Sequence, residues 1–157
     1  ASDVYKRQTQ GYQSFSSDNK REIFNIDKLK FIPLICYEII YSGKINPNKK
    51  YYDFILNISE DGWFGKSIGP AQHLSHSIFR SIEEGKNVIR STNNGVSAFV
   101  NPKGQIIKQI SEKGYFDVKK IKRVDKTYFA EHGNKIFFYF VIIYTTFIVI
   151  LKIRENK

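Results

Sequence analysis

The most constraining feature of this sequence is an apolar run without a charge at residues 136–151. Basic residues bracket it on both sides: Lys135, Lys152 and Arg154. As an α-helix the run covers roughly 24 Å at ~1.5 Å per residue, and lysines reaching outward extend it toward the ~30 Å core of a bilayer. Apolar side chains lie all around such a helix. The sequence therefore predicts a transmembrane helix over residues 135–153 and a tail at 154–157, with a buried element of a soluble core as the alternative.

The charge of the chain is basic and unevenly distributed. The 157 residues carry a formal net charge of +10, from 25 Lys and Arg against 15 Asp and Glu, yet residues 51–118 hold seven of each sign. Basic ends beside an apolar helix favour anionic lipid head groups, whereas a nucleic-acid surface clusters its cations on one face. We therefore expect a membrane partner and no nucleic acid. The basic tail favours a cytoplasmic C-terminus, although the basic stretch before the helix favours the opposite orientation.

Residue usage excludes several kinds of site. Cys36 is the only cysteine, which excludes an internal disulfide and a multi-cysteine metal centre. His73 and His76, taken with Glu83, lack a third ligand at suitable spacing, so we predict no metal and no cofactor. The chain begins with Ala1 and contains no methionine, which indicates a processed chain or a fragment.

Short apolar runs alternate with one helix. The runs 31–35 and 53–58 are typical of buried strands. A helix is predicted from Pro70 to Gly85, because proline is favoured in a first turn and glycine after a last one. Its apolar residues recur at three- and four-residue steps, at Ala71, Leu74, Ile78 and Ile82, and Arg80 can pair with Glu84.

Further strands follow the helix. Residues 88–91 and 96–100 are predicted strands, and a turn at 101–104 leads into a third at 105–110, which makes a hairpin. The alternation predicts an α/β layered domain. We expect the first two strands to be buried on both faces, so the domain needs more layers than this chain supplies.

Cys36 is the first candidate for chemistry. It lies where a predicted strand ends and the chain turns toward a helix, which places a nucleophile on rigid support beside backbone N–H groups that can bind an oxyanion. The alternative is a small buried hydrophobic residue, the usual role of a free cysteine. Trp63 and Phe64, in a glycine-flanked loop, predict either an exposed recognition element or a hydrophobic plug.

Four motifs in a fixed order carry a family resemblance. They are Pro33-Leu-Ile-Cys36-Tyr37-Glu38; Asn57-Ile-Ser59 with Asp61-Gly-Trp63-Phe64-Gly65; Ser67-Ile-Gly-Pro70 with Gln72-His73; and Arg90-Ser-Thr-Asn-Asn-Gly95. Together they resemble the bacterial apolipoprotein N-acyltransferases, a membrane branch of the nitrilase (carbon–nitrogen hydrolase) superfamily. The resemblance covers about 11–134 and implies part of a nitrilase-like α-β-β-α sandwich, followed by the transmembrane helix.

The resemblance implies a two-step acyl transfer. Cys36 matches the nucleophile that takes an acyl chain from a phospholipid as a thioester, and the acceptor is the α-amino group of an apolipoprotein's N-terminal diacylglyceryl-cysteine. The backbone N–H of Tyr37 is then an oxyanion donor. Glu38 matches the family's acidic residue beside the nucleophile, and an orienting carboxylate is the alternative. Trp63 and Phe64 are expected to bind substrate.

The sequence also departs from the family pattern. The superfamily's general-base Glu and its Lys lie well before the cysteine, whereas only 35 residues precede Cys36. We therefore expect a C-terminal fragment that is inactive and folds poorly alone. Residues 1–10 are predicted to be an unmatched leader, and our hypothesis is that it is foreign to the parent gene. The expected location is the bacterial inner membrane, with the catalytic domain on the periplasmic side. A nitrilase-type amidase and a membrane-anchored basic binding module are the alternatives.

Overall fold

The computed structural model describes residues 21–111, 113–121 and 124–155. Six strands form one mixed sheet in chain order: β1 Phe24–Ile26, β2 Leu29–Ile35, β3 Phe54–Glu60, β4 Asn87–Asn93, β5 Ser97–Val100 and β6 Ile106–Ile110. The central strands β2, β3 and β4 are parallel, and the other pairings are antiparallel. The predicted leader at residues 1–10 lies outside the described residues.

Helices connect and follow the strands. They are α1 Gly69–Glu84, α2 Tyr128–His132 and α3 Lys135–Glu155, with short 3-10 helices at Cys36–Ile40 and Gly62–Phe64. The predicted α/β class, both buried-strand runs, the helix α1 and the β5–β6 hairpin are confirmed. Two short elements, β1 and α2, were not predicted, because three to five residues give too little periodicity to detect.

One face of the sheet carries the hydrophobic core. Register aligns Ile32, Ile55, Val88 and Val100 across four strands, and all four are buried. Leu74 and Ile78 of α1 pack against this cluster. The carboxyl ends of the parallel strands therefore meet beneath the start of α1, which is where Cys36 lies.

The buried side of α1 is more polar than its sequence pattern predicts. Ala71 and Ile82 are exposed, whereas the fully enclosed positions are His73, Ser77, Arg80, Ser81 and Glu84. The predicted Arg80–Glu84 pair is wrong: Arg80 Nη2 donates to Glu83 at 2.7 Å, and Glu84 accepts a hydrogen bond of 2.6 Å from the hydroxyl of Tyr52. Glu84 is paired instead with Tyr52, which lies in the loop before β3.

The second face of the sheet is apolar and partly open. Phe31 and Phe54 stack there with ring centroids 5.4 Å apart, but Ile35 is 58% exposed and Ile58 is 48% exposed. Within the described residues this face of β2 and β3 is only partly covered, which agrees with the expectation that the domain needs more layers than this chain supplies. Parallel strands normally have layers on both faces, and within the described ranges only one layer is present.

The C-terminal helix stands apart from the core. None of residues 135–154 of α3 is buried, and among the described residues this helix alone is long and apolar enough to cross a membrane. The connector before it is tied to the domain: Lys86 Nζ donates to the carbonyl of Val124 at 2.9 Å, and the Thr127 hydroxyl donates to the carbonyl of Glu83.

Candidate active site

Cys36 lies directly after β2, as the first residue of a 3-10 helix. Its φ is +49°, in the left-handed region. That conformation costs a residue with a Cβ about 1–2 kcal/mol, and such strain clusters at functional sites. The residue is partly exposed. The fold therefore presents a thiol at the edge of the sheet on a sharp, strained turn.

Glu38 folds back onto the strand. Its carboxylate accepts a hydrogen bond of 2.7 Å from the backbone N–H of Ile35 and lies 3.7 Å from Arg21 Nη1. These contacts brace the turn around Cys36 from its outer side. They favour an orienting role for the carboxylate.

Tyr37 follows the nucleophile position and lies near two other rings. Its ring centroid is 6.0 Å from that of Phe64 and 5.3 Å from that of His73. The first N–H groups of a helix have no carbonyl partner within that helix, so the Tyr37 amide is the type of group that can bind an oxyanion. The side chain itself is half exposed.

Hydrogen bonds to Glu60 stabilise the Trp63–Phe64 loop. Glu60 accepts hydrogen bonds from the Gly62 N–H at 2.7 Å and from the side chains of Asn93 and Asn94 at 2.6 and 3.1 Å. These bonds, the one from Asn94 foremost, lower the pKa of the Glu60 carboxyl below its ordinary value. The loop is thereby fixed against the end of β4.

The two aromatic residues of this loop differ in their surroundings. Trp63 is 62% exposed, which favours the recognition element over the plug. Phe64 packs closely against Gly69, where an added Cβ would lie only 2.5 Å from the ring. An open cavity of about 340 Å³ lies between Phe64, Tyr37 and the first turns of α1.

A buried polar cluster behind Cys36 was missed by sequence reasoning. Its members are Asn57, Asp61, His73 and Arg90, each at most 2% exposed. Arg90 Nη2 donates to both oxygens of Asp61, at 2.9 and 2.6 Å, and Arg90 Nη1 donates to Asn57 Oδ1. His73 Nδ1 lies 2.9 Å from Asp61 Oδ1. A signal was available, because Asn57 directly follows the apolar residues 54–56 of β3 and Arg90 directly follows the apolar residues 88–89 of β4.

The predicted site residues are therefore gathered at one edge of the sheet. Tyr37 and Phe64 adjoin each other beside Cys36, Glu38 faces the backbone, and Trp63 points to the surface. The substrate, nucleophile and oxyanion roles assigned to these residues stay predictions.

Known proteins of similar sequence indicate which family this chain belongs to. The chain is 37% identical over 146 residues to the apolipoprotein N-acyltransferase of Rickettsia bellii, covering 87% of this chain and 29% of that protein. It is 47% identical over 83 residues to the one of Haemophilus influenzae, covering 52% and 16%. The chain thus spans less than a third of the length of these relatives.

A solved structure shares the fold. Saccharomyces cerevisiae Nit3, a member of branch 10 of the nitrilase superfamily, superposes with a TM-score of 0.52 at 19% identity, over 62% of this chain and 39% of that one. A sequence model of the carbon–nitrogen hydrolase family matches residues 3–115, so the match begins earlier than the motifs alone indicate. The chain, with its mixed sheet and its cysteine at the end of β2, belongs to the carbon–nitrogen hydrolase family.

Proposed function

We propose that this chain is the C-terminal part of an enzyme that transfers an acyl chain from a phospholipid, through a thioester on Cys36, to an apolipoprotein. The observation that carries the proposal is the position of Cys36: a thiol on a strained turn at the end of a buried strand. The apolipoprotein N-acyltransferases similar to this chain support the choice of acyl transfer. The nitrilase-type sandwich supports a second sheet over the apolar face that includes Ile35 and Ile58.

The reaction balances in two steps. The Cys36 thiolate attacks the ester carbonyl, the carbon–sulfur bond forms, and the lysophospholipid leaves as an alcohol after gaining a proton. The α-amino group of the diacylglyceryl-cysteine then attacks the thioester, forms an amide and releases the thiol. The resemblance assigns the proton transfers to a Glu and the stabilising charge to a Lys, both before this stretch of sequence.

Local groups supply the remaining functions. The backbone N–H of Tyr37 binds the negative oxygen that develops in both steps, and such a donor typically contributes about 10²–10³ in rate. Glu38 holds the turn through the Ile35 amide. Trp63 and Phe64 contact the acyl chains, for which apolar rings beside an open cavity are suited.

The membrane supplies the substrate. We place α3 across the bacterial inner membrane, with the sheet on the periplasmic side and the basic tail in the cytoplasm. The apolar surface of α3 and the relatives' lipid-modifying names support this arrangement. Reaction at a membrane surface explains why Trp63, next to the Phe64 that lies beside Tyr37, is exposed.

Thioester trapping tests the proposal. The full-length protein that contains this sequence, in detergent or vesicles, is incubated with phospholipid labelled in its acyl chain. A hydroxylamine-sensitive label is expected on the wild type and is expected to vanish in Cys36→Ala. Absence of label on the wild type would refute the acyltransferase assignment, and rapid release of free fatty acid without an amine acceptor would favour a hydrolase.

Residues 1–157 expressed alone are expected to form no thioester, because the general base and the lysine are assigned to the preceding part of the enzyme. The measurement is the same labelling assay, with the full-length protein as the positive control. Labelling of the short chain at a comparable rate would show that neither group is needed.

A further inference from the structure

Two members of the buried polar cluster contact the same backbone atom, the carbonyl oxygen of Cys36. His73 Nε2 lies 3.2 Å from the carbonyl oxygen of Cys36, and Asn57 Nδ2 donates to the same oxygen at 3.3 Å. Asn57 Nδ2 also donates to the carbonyl of Leu34 at 3.0 Å. A carbonyl oxygen can only accept, so His73 donates to it in the ring form that carries a hydrogen on Nε2.

The rest of the cluster holds these two donors in place. Asp61 contacts the other ring nitrogen of His73, and Arg90 bridges Asp61 to the amide oxygen of Asn57. The contacts form a closed ring from the Cys36 carbonyl through His73, Asp61, Arg90 and Asn57 back to that carbonyl. Because all four side chains are buried, water does not compete for the bonds between them and the directions of these bonds are fixed.

The geometry of the peptide unit links the direction of the Cys36 carbonyl to the direction of the Tyr37 N–H. The carbonyl of Cys36 and the N–H of Tyr37 belong to one planar peptide unit, and in a trans unit they point in opposite directions. The chain has no cis peptide in its described part. Two donors that pull the Cys36 carbonyl into the protein therefore turn the Tyr37 N–H outward, away from the buried cluster.

We infer that His73 and Asn57, held by Asp61 and Arg90, are positioning residues that aim the Tyr37 N–H at the oxyanion. The inference deepens the proposed function, on which it rests for the identity of the acyl donor. The two bonds also restrict rotation about the Cα–C bond of Cys36, because that rotation would carry the carbonyl away from both donors. None of the four side chains needs to touch substrate.

The inference separates two reactions of the same thiol. Acylation passes through an oxyanion and depends on the aim of the Tyr37 N–H, whereas alkylation by iodoacetamide is a direct displacement without an oxyanion. In His73→Leu, single-turnover acylation of the full-length protein by a p-nitrophenyl ester is expected to fall by about 10²-fold, the order seen on loss of one oxyanion donor. Alkylation of Cys36 and the ester concentration at half-maximal rate are expected to change less than threefold.

Two further variants complete the test. His73→Gln places an amide donor near the former Nε2 and is expected to recover at least a tenth of the lost acylation rate. Asp53→Asn is the matched control for Asp61→Asn, because both are buried aspartates, one before and one after β3, and Asp53 accepts from the Lys30 N–H at 2.8 Å, far from Cys36. Only Asp61→Asn is expected to slow acylation.

The possible outcomes are decisive. Unchanged acylation in His73→Leu, or a parallel loss of acylation and alkylation, overturns the inference. The activated ester allows the positioning role to be tested separately from the proposed function. If the wild type is acylated by the ester but never by phospholipid, the lipid substrate is refuted, while the comparison of the variants still tests the positioning role. A wild type acylated by neither overturns both.

Discussion

Gly95 gives the sharpest test of how the polar cluster is packed. A Cβ added at this position would lie 2.3 Å from Asp61 Oδ2 and 2.7 Å from Thr92 Oγ1. The same Asp61 oxygen accepts a bond of 2.6 Å from Arg90, and the carboxylate is fully buried. No flexible side-chain end near Gly95 can move aside to make room for the new methyl group. The Asp61 carboxylate therefore has to move away from Arg90 in Gly95→Ala.

The size of the effect follows from the packing. Overpacking a dense site costs about 1–3 kcal/mol, and complete separation of a buried ion pair sets an upper bound of about 3–5 kcal/mol. Any alanine in place of glycine also gains about 0.4–1 kcal/mol by restricting the unfolded chain. Gly114→Ala is the matched control for that gain, because its Cβ would meet nothing closer than 3.7 Å.

Hydrogen exchange measures this locally in the full-length protein. Backbone amides of β3 and β4 report the free energy of opening the strands that carry Asn57 and Arg90. In Gly95→Ala they are expected to exchange roughly 5- to 150-fold faster than in Gly114→Ala, which corresponds to the lower estimate of about 1–3 kcal/mol. Equal exchange in the two variants would refute the packing argument.

Three further predictions concern other parts of the domain. Gly69→Ala is expected to displace Phe64, because the new Cβ would lie 2.5 Å from its ring. The phospholipid concentration at half-maximal acylation is expected to rise severalfold, while alkylation of the Cys36 thiol is unchanged. An unaltered phospholipid concentration would show that Phe64 is not part of the substrate site. Burial raises the pKa of Glu84 above its ordinary 4.5, so the folded protein binds this proton more tightly than the unfolded chain does; the stabilisation is fully present below pH about 4.5 and is lost as the pH rises through the raised pKa. Glu84→Gln, which keeps an acceptor for Tyr52, is expected to flatten that pH dependence in thermal unfolding, and an unchanged slope would contradict the assignment. Ile55→Ala, at a fully buried position, is expected to destabilise β3 by about 2–5 kcal/mol in hydrogen exchange, with a loss below about 1 kcal/mol showing that the core relaxes around it.

Much of the architecture is predictable because it depends on neighbouring residues. The apolar runs 31–35 and 53–58 form strands as predicted, and Pro70 with Gly85 sets the bounds of α1 to within one residue. The position of Cys36 at a strand end follows directly from the first of these runs. Local composition was sufficient in each case, since a strand or a helix end depends on a few adjacent side chains.

The polar side of α1 could not be predicted in the same way. The three- and four-residue spacing of Leu74 and Ile78 correctly places them against the core, but spacing does not reveal that His73 and Arg80 are enclosed more completely. A buried polar side chain is tolerated only where partners satisfy it. Those partners lie on other strands and in other loops, so periodicity within the helix carries no information about them.

The sequence by itself determined strands β2 to β6, the main helix, the apolar C-terminal helix and the cysteine that the family motifs identify. Only the tertiary structure decided what stands behind that cysteine. Parallel pairing of β3 with β4 sets Asn57 beside Arg90, residues that are 33 positions apart in the chain. Folding α1 over them adds His73, and His73 and Asn57 then both contact the carbonyl of Cys36. This convergence is a property of register and packing, because no local pattern specifies which distant polar groups will share one buried space.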